Sequence, residues 1–72
     1  MLRNRFAKNV KFQREKRRLT QELAAELCDL SPRYWGKIER GQTSTSIDII
    51  EKISAGFQVD ASELLQKEEI NG

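Results

Sequence analysis

The most constraining feature of this chain is a pair of helix signals set almost back to back. Thr20 is a good N-cap, Glu22 and Leu23 follow it, and the helix they open is expected to end near Cys28. Ser31 then caps another helix, with Pro32 at its first position, where a missing N–H costs nothing. Only Asp29 and Leu30 lie between, too few for anything but a tight turn. A turn that short forces the two helices to cross steeply, so the later one projects as a ridge. Gly41, following Arg40, is the expected left-handed residue that stops it.

The rest of the chain also reads as helix, because apolar residues recur with the helical period and no stretch alternates as a strand would. A first helix is expected from about Arg3 to Arg18. Leu2, Phe6, Val10 and the polar Gln13 form its inner stripe, and Phe12 points elsewhere. In the next helix Leu23 and Leu27 share an apolar arc with the small residues Ala24, Ala25 and Cys28. Beyond the polar loop Gln42-Thr43-Ser44-Thr45, a fourth helix is expected from about Ser46 to Phe57, with Ile49, Ile50, Ile53 and Phe57 on one face. Asp60 is placed to cap a short fifth helix, Glu63 to complete a capping-box-like Asp-x-x-Glu, and Leu64 and Leu65 to dock it. The expectation is an all-α fold, a compact bundle of five short helices over residues 1–66, with a polar tail at 67–72.

Composition narrows the function classes. The 72 residues suit one small domain. With no His and one Cys, the chain lacks the commonest general base and metal ligand, and it can form neither an internal disulfide nor a Cys-rich zinc site. No Gly-rich phosphate loop or paired-carboxylate arrangement is evident, so neither an enzyme nor a bound metal or cofactor is expected. The longest apolar run, Leu23-Ala24-Ala25, falls far short of the ~20 residues that cross a bilayer. Residues 1–20 are too charged for a secretory leader. A cytoplasmic domain away from membranes is expected.

The net charge of +2 conceals a gradient. Residues 1–20 carry eight basic groups against Glu15 alone, whereas residues 41–72 carry Lys52 and Lys67 against six acids. Such asymmetry suggests one end aimed at a polyanion. The projecting helix sorts in the same sense. Arg33, Gly36, Lys37 and Arg40 share an arc of about 100°, while Trp35, Ile38 and Glu39 fall on the other side. One face is cationic and the other is core. A helix of this kind fits the major groove of B-DNA, where Arg and Lys donate to guanine O6 and N7.

The stretch Leu19-Thr20-Gln21-Glu22, Ala25, Asp29-Leu30-Ser31, Tyr34-Trp35 and Ile38-Glu39-Arg40-Gly41 resembles the phage-repressor-type (XRE, lambda-repressor-like) helix-turn-helix family. Ser46-Ile47, Ile50, Ile53, Phe57, Val59 and Leu64-Leu65 extend the resemblance, which covers roughly residues 5–65, and Arg14 stands where the family carries an arginine. Leu23-Ala24, Phe12-Gln13 and Gln58 depart from the usual pattern, none of them on the cationic face.

The resemblance implies a sequence-specific double-stranded DNA-binding transcription regulator, acting as a homodimer on a palindromic operator. It places base reading at Arg33 and Lys37. Arg40 is assigned to phosphate or to the helix C-terminal dipole, and Gln21 to phosphate. Ser31 is an N-cap first and a phosphate contact second, with Pro32 beside it at the same surface. Tyr34 either reaches phosphate or packs on the core, and Gln42, Thr43 and Ser44 are loop donors to the backbone. Trp35 and Ile38 belong to the core. Arg14 is the expected partner of Glu39, and Phe12 a candidate self-contact. An antitoxin or restriction–modification controller of the same fold, or a protein-interaction module without DNA readout, are the competing readings.

Overall fold

Three hydroxyl caps and four left-handed turns divide the chain into its helices. The computed structural model describes residues 2–67. The expected tail beyond 67 and the inward placement of the Leu2 side chain lie outside the described residues. The helices are α1 (Leu2–Lys16), α2 (Gln21–Leu27), α3 (Pro32–Glu39), α4 (Ile47–Phe57) and α5 (Ala61–Leu65). Among the described residues there is no strand, and the all-α expectation holds.

The hydroxyls of Thr20, Ser31 and Ser46 accept from the N–H groups of Leu23, Tyr34 and Ile49 at 3.1, 3.0 and 3.3 Å. Each satisfies a donor that the start of a helix would otherwise leave unpaired. Asp60 stands at the equivalent place before α5, but its side chain makes no cap bond. The Glu63 N–H donates instead to the Asp60 carbonyl, at 2.9 Å, and the expected capping box does not form. So short a helix is held by docking rather than by its own cap. The Asn9 amide on α1 supplies that docking, donating to the carbonyls of Leu64 and Gln66 at 2.8 and 2.9 Å.

Helices α1 to α4 all end alike. Arg18, Asp29, Gly41 and Gln58 take positive φ of 57, 59, 70 and 57°. The next N–H returns to the carbonyl five residues back, as in Leu19 to Arg14, Leu30 to Ala25, Gln42 to Lys37 and Val59 to Ser54. α1 therefore stops at Lys16 rather than near Arg18, because Arg17 and Arg18 are taken up by its terminal turn.

The core draws on every helix: Phe6 and Val10 from α1, Ala24 and Ala25 from α2, Trp35 and Ile38 from α3, Ile53 and Phe57 from α4, and Leu64 from α5. Trp35 and Phe57 meet edge to face, 5.7 Å between centroids. The expected apolar arc of α2 needs correction, since Leu23 and Leu27 are 52% and 51% exposed. Its small residues Ala24, Ala25 and Cys28 face inward, and α4 comes close to the end of the helix. A Cβ on Gly56 would lie 2.7 Å from Cys28 Sγ and 3.0 Å from the Leu27 carbonyl oxygen. Gln13 is buried as its place in the stripe requires. Its Oε1 and backbone carbonyl accept from Arg17 Nη1 at 2.6 and 2.9 Å, while Arg17 Nη2 donates to the Phe57 carbonyl at 2.6 Å.

Candidate nucleic-acid interface

The crossing of α2 and α3 is set by one carboxylate. Glu39, its side chain 4% exposed, accepts four hydrogen bonds. Oε2 takes Arg14 Nε and Trp35 Nε1, each at 2.6 Å, and Oε1 takes Arg14 Nη2 at 3.0 Å and Gln21 Nε2 at 2.9 Å. Arg14 Nη1 donates onward to the Leu19 carbonyl at 2.9 Å. Burial pushes the Glu39 carboxyl up, but the bonds from Arg14, Gln21 and Trp35 outweigh it and hold the group below its usual range. The bond to Glu39 in turn raises Arg14. α1, the start of α2 and the end of α3 thus meet at one point.

The Arg14–Glu39 pair follows the sequence expectation, whereas the roles of Gln21 and Trp35 in it do not. Trp35 lies one turn before Glu39, which is the spacing at which helical side chains meet. Gln21 carries no comparable local signal. Its amide nitrogen is committed to Glu39, within the fold, by at least one of its protons.

With its inner face locked, α3 turns Arg33 and Lys37 outward, both exposed. Arg40 is also exposed, and its Nε donates to Gln42 Oε1 at 2.9 Å. Ser31 and Pro32 are exposed at the start of the ridge, and Ser44 is exposed beyond its end. Thr43 is half-buried, its hydroxyl donating to the Ser44 carbonyl at 3.3 Å. Tyr34 is half-buried and packs on the core. The structure therefore gathers Arg33, Lys37 and Arg40 on one ridge, flanks it with Ser31, Pro32, Gln42, Thr43 and Ser44, and sets Tyr34 and Gln21 closer to the interior.

The basic end of the chain divides in two. Arg14 and Arg17 are spent inside the fold, Arg17 with its guanidinium also 4.6 Å from the Phe57 ring centroid. Arg3, Arg5, Lys8, Lys11, Lys16 and Arg18 are exposed. Phe12 is 60% exposed, with Lys16 Nζ 6.0 Å from its ring. Burial pushes the Cys28 thiol up to about 11, which keeps it a neutral packing group. Among the described residues, no helix is long and apolar enough to cross a membrane, and no group of three or more His, Cys, Asp or Glu is placed to hold a metal ion.

Two helices crossed on the short connection Cys28–Ser31, the second locked on one side and cationic on the other, define a helix-turn-helix DNA-binding domain. The chain belongs to the helix-turn-helix family HTH_3, whose pattern it matches over residues 10–64, a family of DNA-binding transcription regulators. Among its relatives is control protein C.MunI of Mycoplasma sp, 41% identical over 61 residues that span 83% of this chain and 82% of that protein. The hypothetical transcription factor NHTF from Neisseria superposes with a TM-score of 0.87 at 32% identity, over 92% of this chain and 76% of that one. The restriction-modification controller protein C.AhdI from Aeromonas hydrophila gives 0.82 at 31% identity, over 86% of this chain and 94% of that one.

Proposed function

We propose that this protein is a cytoplasmic, non-enzymatic transcription regulator of the restriction–modification controller type, which binds a palindromic operator as a homodimer. The reading is carried by one observation: Arg33 and Lys37 stand exposed on the outer side of α3 while Glu39 bolts its inner side to Arg14 of α1 and Gln21 of α2. A helix so held enters the major groove at a set angle. Arg33 and Lys37 read base edges there. Ser31, Pro32 and Tyr34 at one end, and Gln42, Thr43 and Ser44 at the other, meet the sugar–phosphate walls, which fix register rather than sequence. Gln21 uses whatever donor Glu39 leaves it for a phosphate on the same side. The controller type is favoured over other regulators of this fold by the likeness to C.MunI and C.AhdI over most of each protein's length.

Selection of bound sites from a random duplex pool tests this reading. An enriched motif with two-fold symmetry is expected. No enrichment at low salt, with the protein shown to be folded, rejects DNA readout in favour of a protein-interaction module.

A further inference from the structure

We infer that Arg40 is a specificity-determining residue, its guanidinium laid in the notch that Gly36 leaves in α3 and tethered there by Gln42 to read a base edge beside Arg33 and Lys37. This rests on the DNA-binding function proposed above and adds a third reader to the ridge. By chain position alone Arg40 follows the last residue of α3, where a cation ordinarily meets phosphate or the helix dipole. The side chain does not stay there. Helical side chains lean toward the N-terminus, and that of Arg40 lies back over the preceding turn. Its Nη1 comes within 2.9 Å of where a Cβ on Gly36 would stand, with Cζ and Nη2 at 3.6 Å. Gly36 is itself buried, although it belongs to the outward arc of the helix.

The tether selects what the guanidinium can do. Nε is committed to Gln42 Oε1, and among the described residues Nη1 and Nη2 have no other hydrogen bond. What remains is a planar pair of parallel donors, the fork that matches guanine O6 and N7. Its position favours bases over phosphates. Gly36 lies midway along α3 and on the arc of Arg33 and Lys37, the part of a groove-bound helix that faces the floor of the groove. Holding the long side chain in one arrangement before binding also lowers the entropy lost when it docks. A residue with a Cβ at position 36 would lift the guanidinium out of its notch.

Site selection and competition binding on a panel of single-base operator variants test this, using wild type, Arg40→Ala, Arg40→Lys, Gly36→Ala and the double variant, each checked for folding by circular dichroism. Arg40→Ala, Arg40→Lys and Gly36→Ala should each lose about tenfold of the preference at the same base pair of a half-site, a different one from that relaxed by Lys37→Ala. Gly36→Ala should lower the preference at that base pair far more than it lowers non-specific affinity, because the charge is retained. It should add nothing in the Arg40→Ala background, since the three nearest atoms to the new methyl all belong to Arg40. Equal loss on every sequence for Arg40→Ala, with Gly36→Ala silent, would place Arg40 on phosphate and overturn this inference alone. Absence of any wild-type motif would overturn the proposed function together with it.

Discussion

Arg14 and Glu39, 25 residues apart in the chain, form a two-pronged ion pair that joins α1 to the last residue of α3. Arg14 is 14% exposed and Glu39 4%, and every oxygen of the carboxylate is bonded. Removing either member strands a buried charge. Arg14→Met and Glu39→Gln should each lower unfolding free energy by about 3 kcal/mol. The double variant should lose clearly less than the two losses added. Urea unfolding of the three variants measures this, and additive losses of a few tenths of a kcal/mol would put the pair in the class of surface ion pairs.

The same carboxylate sets an acid limit. Its hydrogen bonds hold the folded-state pKa below the ordinary glutamate value, so below that value the unfolded chain binds the extra proton and stability rises with pH. The contribution of Glu39 is complete above an ordinary glutamate pKa of about 4.3 and disappears as the pH falls through the lowered one. Melting temperature should be level from neutral pH to about 5 and fall below that. The fall should be shallower in Glu39→Gln. Parallel curves for the two proteins would show that other carboxyls govern acid unfolding.

Gly56 holds α4 against α2. In an exposed helix interior Gly→Ala would stabilise by up to ~1 kcal/mol. Here the added Cβ would lie 2.7 Å from Cys28 Sγ and 3.0 Å from both Cys28 Cα and the Leu27 carbonyl oxygen. Two of these are backbone atoms that cannot swing aside. Gly56→Ala should therefore destabilise by about 1–3 kcal/mol, and a raised denaturation midpoint would refute the tight approach.

The turn after α4 points in the opposite direction. Gln58 sits at φ 57° and ψ 48°, a conformation that disfavours any residue with a Cβ. Glycine relieves that strain at some cost in unfolded-state entropy, so Gln58→Gly should gain about 0.5–1 kcal/mol. Gln58→Ala is the control and should gain nothing. Thermal unfolding of both variants distinguishes the backbone effect from loss of the side chain.

DNA binding should separate the arginines that the fold uses from those it leaves outside. Affinity should fall steeply with salt, and losing an exposed cation that meets phosphate should reduce the slope by about one. Arg18 is exposed and is a candidate for that role. Arg17 is bonded to Gln13 and Phe57, so Arg17→Ala should lower the melting temperature and leave the salt slope of the folded protein unchanged. A reduced slope for Arg17→Ala, measured well below its melting point, would contradict the internal assignment.

Helix order, the hydroxyl caps at Thr20 and Ser31, the short turn after the second helix and the sorting of α3 into a cationic and a core face were legible in the sequence. Each depends on groups within about one turn of one another, and local spacing encodes such relations. Glycine marked one of the four left-handed helix ends. Arg18, Asp29 and Gln58 adopt the same conformation without it, held by backbone bonds that leave no residue signature. The sequence also suggested Arg14 for Glu39, since a carboxylate on the core side needs a cation. Only the tertiary structure decided the rest. It turned Leu23 and Leu27 outward and set the approach of α4 to the end of α2 at Gly56. It brought Gln21 to Glu39 across 18 residues, spent Arg17 on a carbonyl 40 residues away, and laid Arg40 over Gly36. The basic count of the first twenty residues could not be divided into exposed and structural charges from the sequence. That division is set by distances between segments far apart in the chain, and those distances exist only once the helices have packed.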